Sequence, residues 1–228
     1  MDTIKTKTFD SYCFGSLSKL SNHQLEQITS MFQNRAHATE NVLGGRASVQ
    51  AVQIKGIGKA IVKQYFRGGM LRHFVKQKYL KWGKTRSQSE FEKLINIRSL
   101  GLGAPEPVAF AYTTGLFYRA WLITREIEDI QTLAELSLND ETRAKEVMSG
   151  VTEQISRLIQ NRICHVDLHP GNVLITSDNR IFFIDFDKAF TYRGDKMRLR
   201  GKYINRWQRS IRKHRLPEML SKEFYKVF

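Results

Sequence analysis

The alternation of apolar and polar residues divides the chain into a strand-rich first half and a helix-rich second half. Residues 7–14 have the pattern of an edge strand. Leu25, Ile28 and Phe32 then recur at helical spacing, which predicts a helix over 22–33 with Ser21 as its N-cap. From about 38 to 66 the period shortens to two. A run through Gly44 and Gly45 joins two strands, and residues 49–54 and 59–66 form a hairpin about Gly56 and Gly58. Met70, Leu71, Phe74 and Val75 fit a short amphipathic helix, and a longer helix covers 85–99, stopped by Gly101 and Gly103 with Pro105 and Pro107 beyond. Strands follow at 107–112 and 119–124, and an extended link through Arg125, Glu126 and Ile127 leads to Leu133 and Leu136. A helix over 140–162 presents Val147, Val151, Ile155, Leu158 and Ile159 to a core. Two short apolar strands then flank a turn at Ser177, Asp178 and Asn179. A last helical pattern, 197–213, carries Leu199, Tyr203, Ile204, Trp207 and Ile211, a stripe that packs on its own domain or lies in a membrane interface.

Composition sharpens this picture in two places. An apolar content of 41% over 228 residues supports a full core, in one domain or two small lobes. The two cysteines, Cys13 and Cys164, make no disulfide framework, and the opening residues lack the apolar core of a signal peptide. No run approaches the length of a spanning helix, so the expected location is the cytoplasm. The net charge of +15 calls for an acidic partner. It is concentrated in two stretches: 67–86 holds seven Lys/Arg and no acid, and 193–215 holds ten against the single Asp195. A solvated basic surface is the plain alternative.

The candidate chemistry lies between Cys164 and Asp187. His165-Val-Asp167 is followed by Asn172 five residues after the Asp, then by the paired apolar strands, and the second strand ends on Asp185. A tight hairpin returns the chain beside its start, so Asn172 and Asp185 come together as hard oxygen ligands for Mg²⁺, with Asp167 placed to accept a hydroxyl proton. Turn chemistry alone would also use Asp, His, Pro and Gly here. A third reading makes His165, Asp167 and His169 transition-metal ligands.

The spacing His-x-Asp-x-x-x-x-Asn followed by a strand-ending Asp resembles the catalytic loop and metal-binding Asp of the protein-kinase-like fold. Lys63, closing the apolar run Ala60-Ile61-Val62, resembles the lysine that pairs the α/β-phosphates in that fold. Glu90 is its candidate partner, although Ser87-x-x-Glu90 also reads as a capping box, and Glu92 is the alternative acid. Further features narrow the resemblance: Tyr65-Phe66-Arg67-Gly68-Gly69, Arg86-Ser-x-Ser-Glu90-Phe91, Pro105-x-Pro107, Ile163-Cys164-His165-x-Asp167-Leu168 and Ile184-Asp185-Phe186-Asp187-Lys188. Together they resemble the lipopolysaccharide-core sugar kinases, most closely the 3-deoxy-D-manno-octulosonic acid (Kdo) kinases.

That resemblance implies an α+β, two-lobed protein-kinase-like fold. Its N-lobe, 1–125, would be a small antiparallel sheet with one main helix, and its C-lobe, 126–228, reduced and mostly helical. It implies ATP and Mg²⁺, with Gly44, Gly45, Lys63, Glu90 and the Glu126–Ile127 hinge binding nucleotide, Asp167 as base, and Asn172 and Asp185 holding metal. The implied acceptor is a hydroxyl of Kdo on a lipid A precursor, an anionic glycolipid. The implied setting is the inner face of the bacterial inner membrane. The basic run with Arg67, Arg72, Lys76 and Lys78 leaves the strand that holds Lys63, which puts it near the expected acceptor, and no nucleic-acid partner is expected. Two departures are visible. His169-Pro170-Gly171-Asn172 looks more like the general sugar and antibiotic kinase loop, and Asp185-Phe186-Asp187 replaces Asp-Phe-Gly with no Ala-Pro-Glu segment after it. A heptose or other small-molecule kinase of the same fold, and a non-catalytic basic binding module, are the competing readings.

Overall fold

The computed structural model describes residues 3–33, 48–65, 79–80, 83–115 and 117–227. The chain forms two compact units: residues 1–95 with 106–126, and residues 96–105 with 127–228. Antiparallel sheets and helices make a mixed α+β fold consistent with the two-lobed, protein-kinase-like architecture.

The first unit is built on a six-stranded sheet. Its strands are β1 (Lys5–Phe9), β2 (Tyr12–Ser16), β3 (Ser48–Ile54), β4 (Gly58–Gln64), β6 (Pro107–Thr113) and β8 (Ala120–Arg125), in the order β1-β2-β6-β8-β4-β3. A separate ribbon pairs β5 (Tyr79–Leu80) with β7 (Phe117–Tyr118). The opening segment is a hairpin, not the single edge strand its pattern suggests. Asp10 takes a left-handed φ of 50° and reverses the chain, so that Phe9 opposes Tyr12.

Two helices, both expected from their spacing, serve this sheet. Helix α1 (Asn22–Gln33) is capped reciprocally, with Gln24 N donating to Ser21 Oγ and Ser21 N to Gln24 Oε1. It buries Leu25, Ile28 and Phe32 against Ala60, Val62, Ala109, Ala111 and Trp121. Successive strand residues point to opposite faces. Phe110, between Ala109 and Ala111, therefore faces away and meets Phe91 of α2 (Arg86–Ser99) edge-on, with ring centroids 5.2 Å apart. Gly15 lies over that ring, and a Cβ there would stand 2.1 Å from Phe110 Cζ.

The second unit is mostly helical. It contains β9 (Ile130–Thr132), α3 (Leu133–Asn139), α4 (Glu141–Gln160), β10 (Ile163–Cys164), β11 (Val173–Thr176), β12 (Ile181–Phe183), β13 (Phe190–Thr191), α5 (Lys196–His214) and α6 (Met219–Val227). The extended link expected to run to Leu136 gives way to helix α3 because Thr132 and Glu135 form a capping box that starts a helix at Leu133. Asp140 then caps α4 through Arg143 N. The stripe on α5 packs within its own unit. Leu199, Tyr203, Trp207 and Ile211 are buried, Trp207 stacks on Phe224 of α6, and its Nε1 donates to Leu220 O. This answers the membrane alternative for that face. Among the described residues no helix is long and apolar enough to cross a membrane.

Candidate active site

Period two along β4 places Lys63 on the α2 face, since Ala60 and Val62 fill the α1 face. Lys63 Nζ stands 3.1 Å from both Glu90 carboxylate oxygens, and Tyr65 Oη donates to Glu90 Oε2. Glu90 is 2% exposed, so its charge is balanced locally by that lysine and hydroxyl. The competing local readings resolve against the capping box and Glu92. Thr85 caps the helix, accepting from Gln88 N, while Ser87 lies inside it and donates to Ala111 O. Glu92 pairs instead with Lys84 at 2.5 Å.

In the second unit, Asp167 sits in the loop after β10. Tyr203 on α5 anchors the start of that loop, accepting from His165 N and donating to Ile163 O, both at 2.8 Å. Asp167 Oδ1 is 3.0 Å from Arg206 Nη2 and Oδ2 is 3.1 Å from Lys188 Nζ. Lys188 arrives because β13 pairs with β10, Cys164 opposite Phe190. His165 Nε2 lies 2.9 Å from Ile184 O, and His169 Nδ1 accepts from Gly171 N. Among the described residues no three His, Cys, Asp or Glu side chains group as a metal site, so the structure gives the transition-metal reading no support.

The β11–β12 hairpin brings Asn172 beside the backbone that leads into Asp185. Val173 opposes Phe183, and Ile184 N donates to Asn172 O at 3.1 Å, so Asp185 follows directly on the residue bonded to Asn172. Asn172 Nδ2 donates to Asp167 O at 2.9 Å, which turns its amide oxygen to other uses and ties the loop to the hairpin. Asp185 is exposed and held at φ 65°, a sparsely populated conformation that Asp tolerates better than most residues. An amide oxygen and a carboxylate on adjoining backbone are the hard donors Mg²⁺ takes alongside phosphate and water. The donor set therefore fits that ion.

Gly103 supports the same hairpin. Its N donates to Gln154 Oε1 and its O accepts from Phe183 N, both at 2.9 Å. A Cβ there would stand 1.9 Å from Ile181 O. Gly103→Ala is accordingly expected to destabilise the protein by about 1–3 kcal/mol, because backbone has to shift. A thermal midpoint within a degree of wild type would contradict this.

His169 offers a pH test. Burial first, then the charges of Arg206 and His165, lower its pKa from 6.5 to about 4. Between those values the unfolded chain holds more protons on this ring than the folded chain. Its contribution to stability is therefore complete above about pH 7 and is lost as the pH falls from 6.5 towards 4. His169→Asn should flatten the thermal midpoint across that window relative to wild type. Identical pH profiles for the two proteins would assign the acid loss to other groups.

Gly44, Gly45, Arg67, Arg72, Lys76 and Lys78, with the helix expected near Met70, lie outside the described residues. At the expected hinge, Glu126 N donates to Lys59 O, which leaves its carbonyl as the remaining backbone group, and Ile127 begins the second unit. Sequence reasoning missed Tyr65 as a Glu90 partner, and Lys188 and Arg206 as Asp167 partners. Lys188 carried a signal in its place beside Asp187. Arg206 carried none beyond its position next to Trp207.

The sequence profile described as "Lipopolysaccharide kinase (Kdo/WaaP) family" matches residues 29–228. The chain is 32% identical over 179 residues to a protein of Vibrio vulnificus (strain CMCP6) named 3-deoxy-D-manno-octulosonic acid kinase, an overlap of 77% of this chain and 74% of that one. A protein of the same name from Haemophilus influenzae (strain 86-028NP) is 32% identical over 203 residues, covering 82% of this chain and 83% of the relative. Its namesake in Vibrio cholerae (strain N16961) is 30% identical over 172 residues, 74% and 72% of the two chains.

Proposed function

Since the chain belongs to the lipopolysaccharide kinase (Kdo/WaaP) family, we propose that it transfers the γ-phosphate of ATP to a hydroxyl of Kdo on a lipid A precursor. The observation that carries the acceptor is the likeness, over about three quarters of each chain, to proteins named Kdo kinases. In this reading Lys63, oriented by Glu90, meets the α/β-phosphates. Asn172 and Asp185 hold Mg²⁺, which when bound neutralises charge on the β- and γ-phosphates. Asp167 receives the acceptor proton as the acceptor oxygen bonds to phosphorus and ADP departs. Glu126 and Ile127 present backbone to the adenine, and Gly44 and Gly45 cover the phosphates. Arg67 and Arg72 contact the acceptor's anionic groups.

The test uses two acceptors side by side, a Kdo-bearing lipid precursor and a heptosylated core, each with Mg-ATP. Phosphate on the first supports the proposal. Phosphate found only on heptose of the second would replace Kdo by heptose and leave the kinase mechanism intact.

The setting follows from the charge. Lys196, Arg198, Lys202, Arg209, Arg212 and Lys213 are exposed on α5, and each cation near an anionic leaflet contributes roughly 1 kcal/mol. We therefore place the protein peripherally on the cytoplasmic face of the inner membrane, held by charge. It should float with anionic vesicles at low salt and be released at high salt. Failure to float at low salt would leave these residues as solvated surface.

A further inference from the structure

We propose that the two cations on Asp167 divide two tasks. Arg206 is a positioning residue that holds the carboxylate, and Lys188 exchanges Asp167 for the transferred phosphoryl group. The proposal rests on the phosphotransfer reading above. Both carboxylate oxygens are engaged, Oδ1 by Arg206 Nη2 at 3.0 Å and Oδ2 by Lys188 Nζ at 3.1 Å. Each oxygen keeps a second lone pair for a hydroxyl proton, and the cation that leaves its oxygen clears the acceptor's approach to it.

The mounting of the two side chains decides which. Arg206 sits on α5 between Tyr203 and Trp207, both buried, one bonded to the backbone on either side of Cys164 and the other to Leu220 O. Its side chain is 35% exposed, and its Nε is buried without a hydrogen-bond partner among the described residues. A permanently charged group so placed, on a helix anchored on both sides of it, holds its partner in one orientation. Lys188 lies between β12 and β13 with its side chain 64% exposed. Exposed ion pairs are weak and readily exchanged, and a flexible ammonium is a common phosphate contact. His169, two residues from Asp167 and neutral near pH 7, adds no charge there.

The exchange suits the reaction. As the acceptor oxygen bonds to phosphorus and the bond to the bridging oxygen of ATP breaks, Asp167 takes the hydroxyl proton and ADP keeps the electron pair. The three equatorial oxygens spread negative charge, which donors at fixed positions stabilise. The Lys188 ammonium, released from Asp167 Oδ2, meets that charge and leaves the oxygen open to the acceptor.

The test is steady-state kinetics of the full chain with Mg-ATP and Kdo-lipid, recording ADP release with and without acceptor. Lys188→Ala should lower kcat by about 10²-fold, with KM for ATP and for lipid within about threefold of wild type. Arg206→Ala should lower kcat comparably, and Arg206→Lys should recover most of the loss, because a single Nη2 contact is replaced by a point charge. A kcat within threefold of wild type for Lys188→Ala overturns the exchange. Equal losses for Arg206→Ala and Arg206→Lys, with lowered thermal midpoints, make Arg206 merely structural and overturn the positioning role. If wild type leaves Kdo-lipid unphosphorylated, the acceptor assignment fails by itself, and ADP release to water still compares the variants. Thermal unfolding adds a measure independent of substrate. Arg206→Met should lower the midpoint less in an Asp167→Asn background than in wild type, and equal shifts would deny the pair.

Discussion

Asp167→Asn is expected to lower turnover by about 10²- to 10⁴-fold while Mg-ATP still binds, because an amide keeps the shape of the side chain and loses its capacity to accept a proton. The local structure should survive, since the loop is fixed by bonds that do not involve this carboxylate. His165 N donates to Tyr203 Oη, and Asn172 Nδ2 donates to the Asp167 main-chain oxygen. Asp185→Asn gives a different pattern. Its exposed carboxylate serves the metal in this account, so binding of Mg-ATP weakens along with turnover. Titration of each variant with Mg-ATP, next to single-turnover rates, separates the two. An Asp167→Asn protein that retained a third of wild-type turnover, with chemistry rate-limiting, would remove Asp167 from the role of base.

Lys63→Met is expected to act on stability and activity together. Removing the ammonium leaves Glu90, which is 2% exposed, with Tyr65 Oη as its neighbouring donor. Breaking a buried pair by deleting one partner costs about 3 kcal/mol or somewhat more. The double variant Lys63→Met, Glu90→Met, which removes both charges, should regain a good part of that stability without regaining activity. Denaturant unfolding of the three proteins measures this. A double variant no more stable than Lys63→Met would mean that Glu90 is balanced by groups other than Lys63.

Much of the site was legible because its parts are local. Asp167, Asn172 and Asp185 fall within one loop and one hairpin, where spacing alone determines proximity, and the turn at Asn179, with φ 61°, could be read from its residues. Lys63 and Glu90 are distant in sequence, yet each follows from periodicity: the first from alternation along a strand, the second from the apolar face of α2. What escaped has physical reasons too. Arg206 reaches Asp167 because α5 is anchored by Tyr203 and Trp207, and no periodic signal in a uniformly basic helix distinguishes one arginine from its neighbours. Tyr65 lies beyond the end of β4, where its hydroxyl could have met water instead of Glu90. The Thr132–Glu135 box was a readable start signal that the apolar residues after it obscured, and the Asp10 turn was hidden inside a run that alternates as one strand would.

The most direct test of the central claim locates the phosphate. Purified protein is incubated with a Kdo-bearing lipid A precursor and ATP carrying an isotopically heavy γ-phosphate, and the product is fragmented in a mass spectrometer. The account predicts one heavy phosphate on the Kdo residue, formed by wild type and nearly absent with Asp167→Asn. A lipid recovered without the heavy phosphate while ATP is consumed, or the label found on a sugar other than Kdo, would contradict it.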